Sequence, residues 1–421
     1  MPRIRWLMIW LCFLANAIGY IDRANIAVAA PDIARELAIN PTEMGLVLSA
    51  FFWTYAFMQL PAGWFIDRLG VRLSLTFAVA WWSIFTMATG LARGFSHFIG
   101  ARLMLGVGEA ASQPSFAKVA FNWFPRTERG MACSIFNSGS TAGSALSLPL
   151  VTWLIVMMGW RGSFIVTGLL GIAWALAWWF LYRDPERYRD IAPQQVDRLL
   201  AERGPSTVPG PQIPWASLFR YRSVWGLMIG LFCLNFAIYF FITWFPSYLR
   251  DARGFSLASL GTLGMLPAVM AVLGNWAGGW TSDRLIRMGW SATKARKTCL
   301  VGGMLMSSSI GLSAFVESTW VCLALFTLAY ASLSFTGANC WTVVSEIAPS
   351  PAHVASIGGI QNFAGNLAGI LITTFTGVVL TITSGSFLIP LAVAGAMCVL
   401  GALSYLFVLG KVEPLPPLAR N

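Results

Sequence analysis

Apolar residues run through this chain in long blocks broken by short polar connectors. A helix that crosses a bilayer needs about 20 mostly apolar residues. Twelve stretches meet that need: 6–30, 43–66, 71–92, 95–121, 131–156, 161–182, 223–249, 256–282, 297–315, 319–346, 353–381 and 385–409. The least apolar, 353–381, is rich in Gly, Asn and Thr, which suits a helix that lines a cavity or packs closely on its neighbours. One polar segment interrupts the series, from Arg183 to Arg222. It holds an amphipathic piece at 193–203 and a Pro/Gly-rich run at 204–214. The pattern predicts an all-α polytopic membrane protein: a six-helix bundle over 1–182, a linker over 183–222 and a second six-helix bundle over 223–421. The linker is too short to hold a further domain, which usually takes roughly 50 residues or more.

Composition supports the spans. Of 421 residues, 57% are apolar and 11% charged, where soluble domains carry about 25% charge. The 20 Trp and 29 Phe suit interfacial belts, and the 40 Gly suit close helix contacts. A net charge of +11 raises nucleic acid as a partner, but the basic residues are spread over connectors and form no stripe. They crowd the two ends, the linker and the even-numbered connectors. By the preference of positive charge for the cytoplasmic side, both termini and the linker lie inside. The start, Met1 to Leu14, lacks a small-residue cleavage site and reads as the first span, not a removed leader. The seven cysteines lie in or beside apolar runs without a CxxC pair, so neither a disulfide framework nor a metal site is expected.

The two blocks repeat. Gly63 stands four residues before Asp67-Arg68, after the second span, and Gly279 stands four before Asp283-Arg284, after the eighth. Asn137-x-Gly139 in the fifth span is echoed by Asn362-x-x-Gly365 in the eleventh. Internal repeats are usual in secondary transporters, whose substrate site lies between them. Gly63-Trp-Phe-Ile-Asp67-Arg68-Leu-Gly70-Val-Arg72 resembles the loop motif of the major facilitator superfamily. Gly63, Asp67, Arg68, Gly279, Asp283 and Arg284 then form a conformational latch, in which an Asp meets a helix N-terminus or an Arg and lets go on switching. The other reading is a solvated loop with a helix cap.

A narrower resemblance is to the anion:cation symporter family. It rests on Gly19-Tyr20-Ile-Asp22-Arg23-Ala-Asn25, on Arg102-x-x-x-Gly106-x-x-Glu109-Ala110 running to Pro114 and Trp123-Phe124-Pro125, and on Phe240-Phe-Ile-Thr-Trp244-Phe-Pro246. That family includes carriers of galactonate, glucarate, hexuronates, tartrate and phthalate, and the compact chain looks like its bacterial sugar-acid branch. The resemblance implies a proton-coupled symporter of the inner membrane that imports a small organic anion. Its expected partners are that anion, protons and membrane lipid, with no nucleic acid and no cofactor, and the carrier works as a monomer. It implies proton sites at Asp22 and Glu109, binding or gating roles for Arg23 and Arg102, and substrate contacts at Tyr20, Tyr55, Trp341 and Asn362. Where some relatives place Gln in the fifth span, this chain has the stretch from Asn137 to Ser140, so Asn137 is the candidate there.

The residues point the same way on their own. A charged group at mid-bilayer costs several kcal/mol and so usually marks function. Four stand clearly inside spans: Asp22, Arg23, Arg102 and Glu109. At 1.5 Å per residue, Asp22 lies roughly 12 Å and Arg102 roughly 10 Å from the outer ends of their helices. Arg102 and Glu109 share a face about two turns apart. An arginine offers a forked donor to a carboxylate substrate, and the two acids compete for the same arginines. The second block offers only Asn235, Tyr239, Trp244, Asn339, Trp341, Gln361, Asn362 and Asn366, as hydrogen-bonding groups and aromatic walls.

The alternatives each lack a feature. A drug antiporter carries a Gly-Pro pair in the fifth span, which Gly139 to Pro149 does not show. A neutral-sugar carrier has no use for two buried arginines. ATP use needs a GxxxxGK[ST] loop, and an enzyme needs a nucleophile–base or metal set. His97 and His353 sit at helix ends without such partners, and Lys118 reads as a snorkelling side chain.

Overall fold

The computed structural model describes residues 2–125, 128–188, 194, 215–348 and 351–415. Its backbone is helical nearly throughout, with no strand among the described residues. Nine described helices are long and apolar enough to cross a membrane, and one of them, Met131–Leu181, has the length of two spans.

The chain divides into two compact units, Met1–Ser206 with Phe255–Thr262, and Thr207–Gly254 with Leu263–Asn421. The first contains α1 (Pro2–Leu37), α2 (Pro41–Leu69), α3 (Val71–Gly90), α4 (Phe95–Glu109), α5 (Ser112–Trp123) and α6 (Arg129–Leu181). The second contains α7 (Arg222–Thr243), α8 (Leu266–Arg287), α9 (Ala292–Ser307), α10 (Thr319–Ile347), α11 (Pro351–Ile382) and α12 (Leu388–Leu403). Of the linker, a short turn at Pro185–Arg187 and a short helix at Trp215–Leu218 are described. The Pro/Gly-rich run, and all of the amphipathic piece but residue 194, lie outside the described residues.

Three departures from the expected spans have local causes. The fourth span, expected unbroken over 95–121, is split into α4 and α5 at Ala110-Ala111. Pro114 follows in the next turn. A proline has no N–H to give to the carbonyl four residues back, and its ring crowds that carbonyl. The Ser112 hydroxyl instead donates to Glu109 O, so the break falls immediately after a membrane-depth acid. The fifth and sixth spans are one continuous helix except at Gly159, whose φ of 72° turns the chain in a region that glycine enters without strain.

The third departure concerns the repeated motif, which was expected in loops. Gly63 to Leu69 is the last part of α2, and Gly279 to Arg287 is the last part of α8. Only Gly70, at φ 79°, leaves the α2 helix, and its N–H bonds Ile66 O.

Missing side chains let the first unit close up. A Cβ at Gly106 of α4 would strike Thr54 Oγ1 and Phe51 O of α2. One at Gly139 or Gly143 of α6 would strike the α1 backbone at Phe13 or Ala17. Such backbone approach is how helices pack tightly in lipid, where no hydrophobic drive separates one apolar surface from another. Thr54 adds a hydrogen bond to Leu103 O at 2.7 Å.

Each unit also ties its third membrane helix to its last. Arg72 at the start of α3 donates to Trp179 O near the end of α6, from Nε at 2.9 Å and Nη2 at 2.6 Å. Lys297 of α9 donates to Leu406 O at 3.2 Å and Leu409 O at 2.5 Å, in and just past the wide helical turn Ser404–Val408 that follows α12. The last carbonyls of a helix have no partner in the helix and carry its negative pole, so a cation satisfies both needs.

Candidate functional site

The site is built in the first unit from α1, α2 and α4. Arg23 and Asn16 of α1 are seven residues apart and share a face, with Gly19 and Tyr20 between them. Arg23 reaches across to Glu109, the last residue of α4. Its Nε donates to Glu109 Oε2 at 2.6 Å, and its Nη2 lies 2.5 Å from the same oxygen. Gly19 lies beside the pair: a Cβ there would stand 3.7 Å from the Glu109 carboxyl carbon, in ordinary contact.

Three aromatic rings surround the guanidinium. Its carbon lies 4.9 Å from the Tyr20 ring centre and 4.6 Å from those of Phe51 and Tyr55. Phe51 and Tyr55 are one turn apart on α2 and stack at 5.1 Å. A cation over an aromatic face gains about 0.5 kcal/mol when exposed and 2 or more when desolvated. The cage therefore holds Arg23 in place whether or not a carboxylate is bound to it. Sequence reading named Tyr20 and Tyr55 but missed Phe51. The available signal was its i,i+4 spacing from Tyr55 on one helix face.

Sequence neighbours Asp22 and Arg23 do not pair, and neither do Arg102 and Glu109; the ion pair is crossed, Arg23 to Glu109. Adjacent residues on a helix point about 100° apart, and this turns Asp22 away from the aromatic cage. Asp22 is fully buried, and neither of its carboxylate oxygens accepts a hydrogen bond among the described residues. Arg102 is 2% exposed, and its Nε and Nη2 likewise find no acceptor. Arg102 and Glu109 are the charged groups whose fields reach Asp22, and Thr86 and Thr167 stand beside it. Below them Asn25 links Thr167 and Ser163, donating to the first at 3.1 Å and accepting from the second at 2.8 Å. One closed ion pair thus stands beside one buried acid and one buried base that are not joined.

The remaining predicted substrate contacts stand on other helices. Asn137 lies on α6 with an exposed side chain, one turn before Ser140, which is beside Tyr20. Trp341 of α10 and Asn362 of α11 belong to the second unit. Trp341 is 51% exposed, with its ring edge against Gly358 of α11; Asn362 is one turn further along that helix. Other polar groups of the second unit are occupied by packing. Asn339 donates to Gly278 O at 3.1 Å and Phe335 O at 3.2 Å. Tyr239 donates to Asn366 at 3.0 Å, and the Trp244 indole to Thr373 O at 3.1 Å. These groups, expected as hydrogen-bonding groups and aromatic walls for substrate, each have a protein partner, as a buried polar group in lipid must.

The repeated motif gives two matching helix ends. Arg68 lies over the Trp64 ring at 5.0 Å, and Arg284 lies over the Trp280 ring at 5.0 Å. Both pairs are four residues apart. Gly63 and Gly279 each face open space, with nothing within 4 Å of a built Cβ. Asp283 lies 3.1 Å from Arg296 Nη1 of α9. Arg296, which sequence reading had placed in a connector, is buried: it also binds Glu346 of α10 at 2.9 Å and Ser282 at 2.5 Å. Among the described residues no cluster of His, Cys, Asp and Glu has the makings of a metal site.

A helical multi-pass fold with ionised groups sealed at membrane depth defines a membrane transporter, and comparison supplies the family. Residues 12–373 match the model of the Major Facilitator Superfamily, and the chain belongs to that family. It is 34% identical to the Probable L-galactonate transporter of Escherichia coli (strain K12) over 406 residues, covering 96% of this chain and 89% of that protein. It is 34% identical over 422 residues to the D-galactonate transporter of Escherichia coli O6:H1, covering 98% and 97%. Among solved structures, a bacterial homolog of the human lysosomal transporter Spinster, inward-facing and unoccupied, superposes with a TM-score of 0.74 at 20% identity, covering 97% of this chain and 95% of that one. That likeness concerns the fold.

Proposed function

We propose that this protein is a proton-coupled symporter that imports a sugar acid of the galactonate, glucarate or hexuronate class by alternating access. The observation that carries the reading is the Arg23–Glu109 pair inside its aromatic cage. A forked cation at membrane depth is matched to a carboxylate, and here the protein's own carboxylate occupies it. A substrate carboxylate that arrives must displace Glu109 or find it protonated. Protonation removes the negative charge, frees Arg23 and leaves the loaded site without an excess buried ion, which lipid disfavours by several kcal/mol. Asp22 is the second proton site in this reading, with Arg102 as the base that its charge answers. Relatives named as galactonate transporters support the substrate class.

In the same reading the protein is a monomer of the inner membrane, with both termini and the 183–222 linker on the cytoplasmic side between two six-helix halves. Asn137, Trp341 and Asn362 contact the substrate. The helix ends at Gly63, Asp67, Arg68, Gly279, Asp283 and Arg284 serve as the latch. The supporting observation for the latch is that both glycines face open space while the glycines of the helix contacts are closed upon.

The test is uptake into proteoliposomes with galactonate, glucarate, glucuronate, tartrate and phthalate, each with and without an inward proton gradient. The reading expects at least one sugar acid to be concentrated only when the gradient is present. Equal uptake in both conditions for every acid overturns it.

A further inference from the structure

Two amides stand on the same track as the Arg23–Glu109 pair. Asn16 is two turns before Arg23 on the same face of α1, and Gln113 lies one turn past Glu109, just beyond the α4–α5 break. The Gln113 side chain donates to Asn16 Oδ1 at 3.3 Å, and Asn16 donates to Phe136 O of α6 at 2.9 Å. Asn16 is 5% exposed, whereas Gln113 is partly open. An amide side chain can make four hydrogen bonds; Gln113 makes this one, and it is a long one. Tyr20 and Ser140 fill the level between, the two hydroxyls being neighbours. Asn16 and Arg23 are about 10 Å apart along the helix at 1.5 Å per residue. Helical side chains lean toward the N-terminus, which carries the Arg23 side chain into that interval. A six-carbon acid has a chain of five C–C bonds of about 1.5 Å each, roughly 6 Å in zigzag; a hydrogen bond of about 2.8 Å at each end brings its reach to roughly 12 Å, enough to span that distance.

We propose that Asn16 and Gln113 form a specificity subsite that reads the hydroxyls at the far end of a polyhydroxy monocarboxylate held by Arg23. This rests on the proposed sugar-acid transport and names the substrate class within it. The pair is neutral. Its amides donate to and accept from hydroxyls, and it offers no cation to a second carboxylate. Burying an unpaired carboxylate beside it costs far more than burying a hydroxyl. The subsite therefore favours an aldonate over the aldarate of the same length. It also disfavours an acid without hydroxyls, which would leave the amides unanswered; a site built to hydrogen-bond rejects such analogues strongly.

The experiment is competition against labelled galactonate counterflow in proteoliposomes, with wild type and Gln113→Met, which keeps length and removes the amide. Galactonate, galactarate, glycolate and hexanoate are the competitors. Wild type is expected to rank galactonate first by at least tenfold over galactarate and over hexanoate. Gln113→Met is expected to lose about tenfold for galactonate and to leave glycolate, too short to reach the subsite, unchanged. Asn16→Thr, which retains a donor to Phe136 O, is expected to give the same split at smaller size. An equal loss for galactonate and glycolate overturns the subsite, as does no change for either when the variant elutes as a monodisperse peak. Gradient-independent uptake of every acid by wild type refutes proton symport and leaves the subsite to be judged by the split. Counterflow of none of the acids refutes both.

Discussion

Arg23 places two nitrogens on a single oxygen of Glu109, at 2.6 Å and 2.5 Å, and the other oxygen, Oε1, has no partner among the described residues. A bidentate fork would satisfy both oxygens. The one-oxygen arrangement is a partly filled site: Glu109 can take a proton on Oε1 while Arg23 still holds Oε2.

Glu109→Gln should therefore uncouple without abolishing recognition. Counterflow of the substrate acid should persist, while accumulation against its gradient stops. Removing one partner of a buried pair costs about 3–5 kcal/mol, so the variant's melting temperature should fall. An anionic ligand that takes the vacated place on Arg23 should raise it again, by more than it raises the wild type. Normal accumulation by the variant excludes Glu109 as a proton site.

Arg23→Lys keeps the charge but loses the planar fork and the ring contacts. An ammonium is a compact, strongly hydrated point charge, and the cage of Tyr20, Phe51 and Tyr55 is shaped for a flat cation. Affinity for the acid, measured by calorimetry in detergent, should drop at least tenfold, about 1.4 kcal/mol. Unchanged affinity removes Arg23 from the binding role.

Two glycine substitutions separate packing from switching. Gly106→Ala pushes α4 away from Phe51 and Thr54 of α2 and, through Tyr55, disturbs the cage. Overpacking typically costs 1–3 kcal/mol, so both thermal stability and anion affinity should decrease. Gly63→Leu points into open space and should leave stability within about 0.5 kcal/mol while slowing net transport. A latch role for that helix end is refuted if uptake rates match the wild type.

Arg296→Met strands Glu346 and Asp283 beside each other at the ends of α8 and α10. Glu346 is partly open and Asp283 exposed, so the loss is that of charge-assisted hydrogen bonds, about 1.5–3 kcal/mol, readable as a lowered unfolding midpoint. Pairing the change with Glu346→Gln should recover part of it, and a simple sum of the two losses argues against direct coupling.

The spans were legible because lipid demands long apolar runs, and the four ionised residues were legible because lipid makes them expensive. What sequence reading lacked was direction. It placed Asp22 and Arg102 near one level, with Glu109 two turns from Arg102, but not the crossed pairing, which depends on where each helix face turns. It listed Asn339, Tyr239, Trp244 and Asn366 as hydrogen-bonding groups and walls without their protein partners, because an amide facing a cavity and one facing a backbone carbonyl look the same in one dimension. It left Arg296 in a connector because a basic residue after a polar turn resembles every other one. The α4–α5 break was written in Pro114, yet a proline inside a span reads equally well as a kink.

The ties from Arg72 to Trp179 and from Lys297 to Leu406 and Leu409 carry a historical implication. Both solve the same problem, an open helix end, with the same kind of donor from the corresponding helix, although the side chains differ. Shared inheritance from a single ancestral module that had already acquired such a brace, then copied in tandem, accounts for this with one invention.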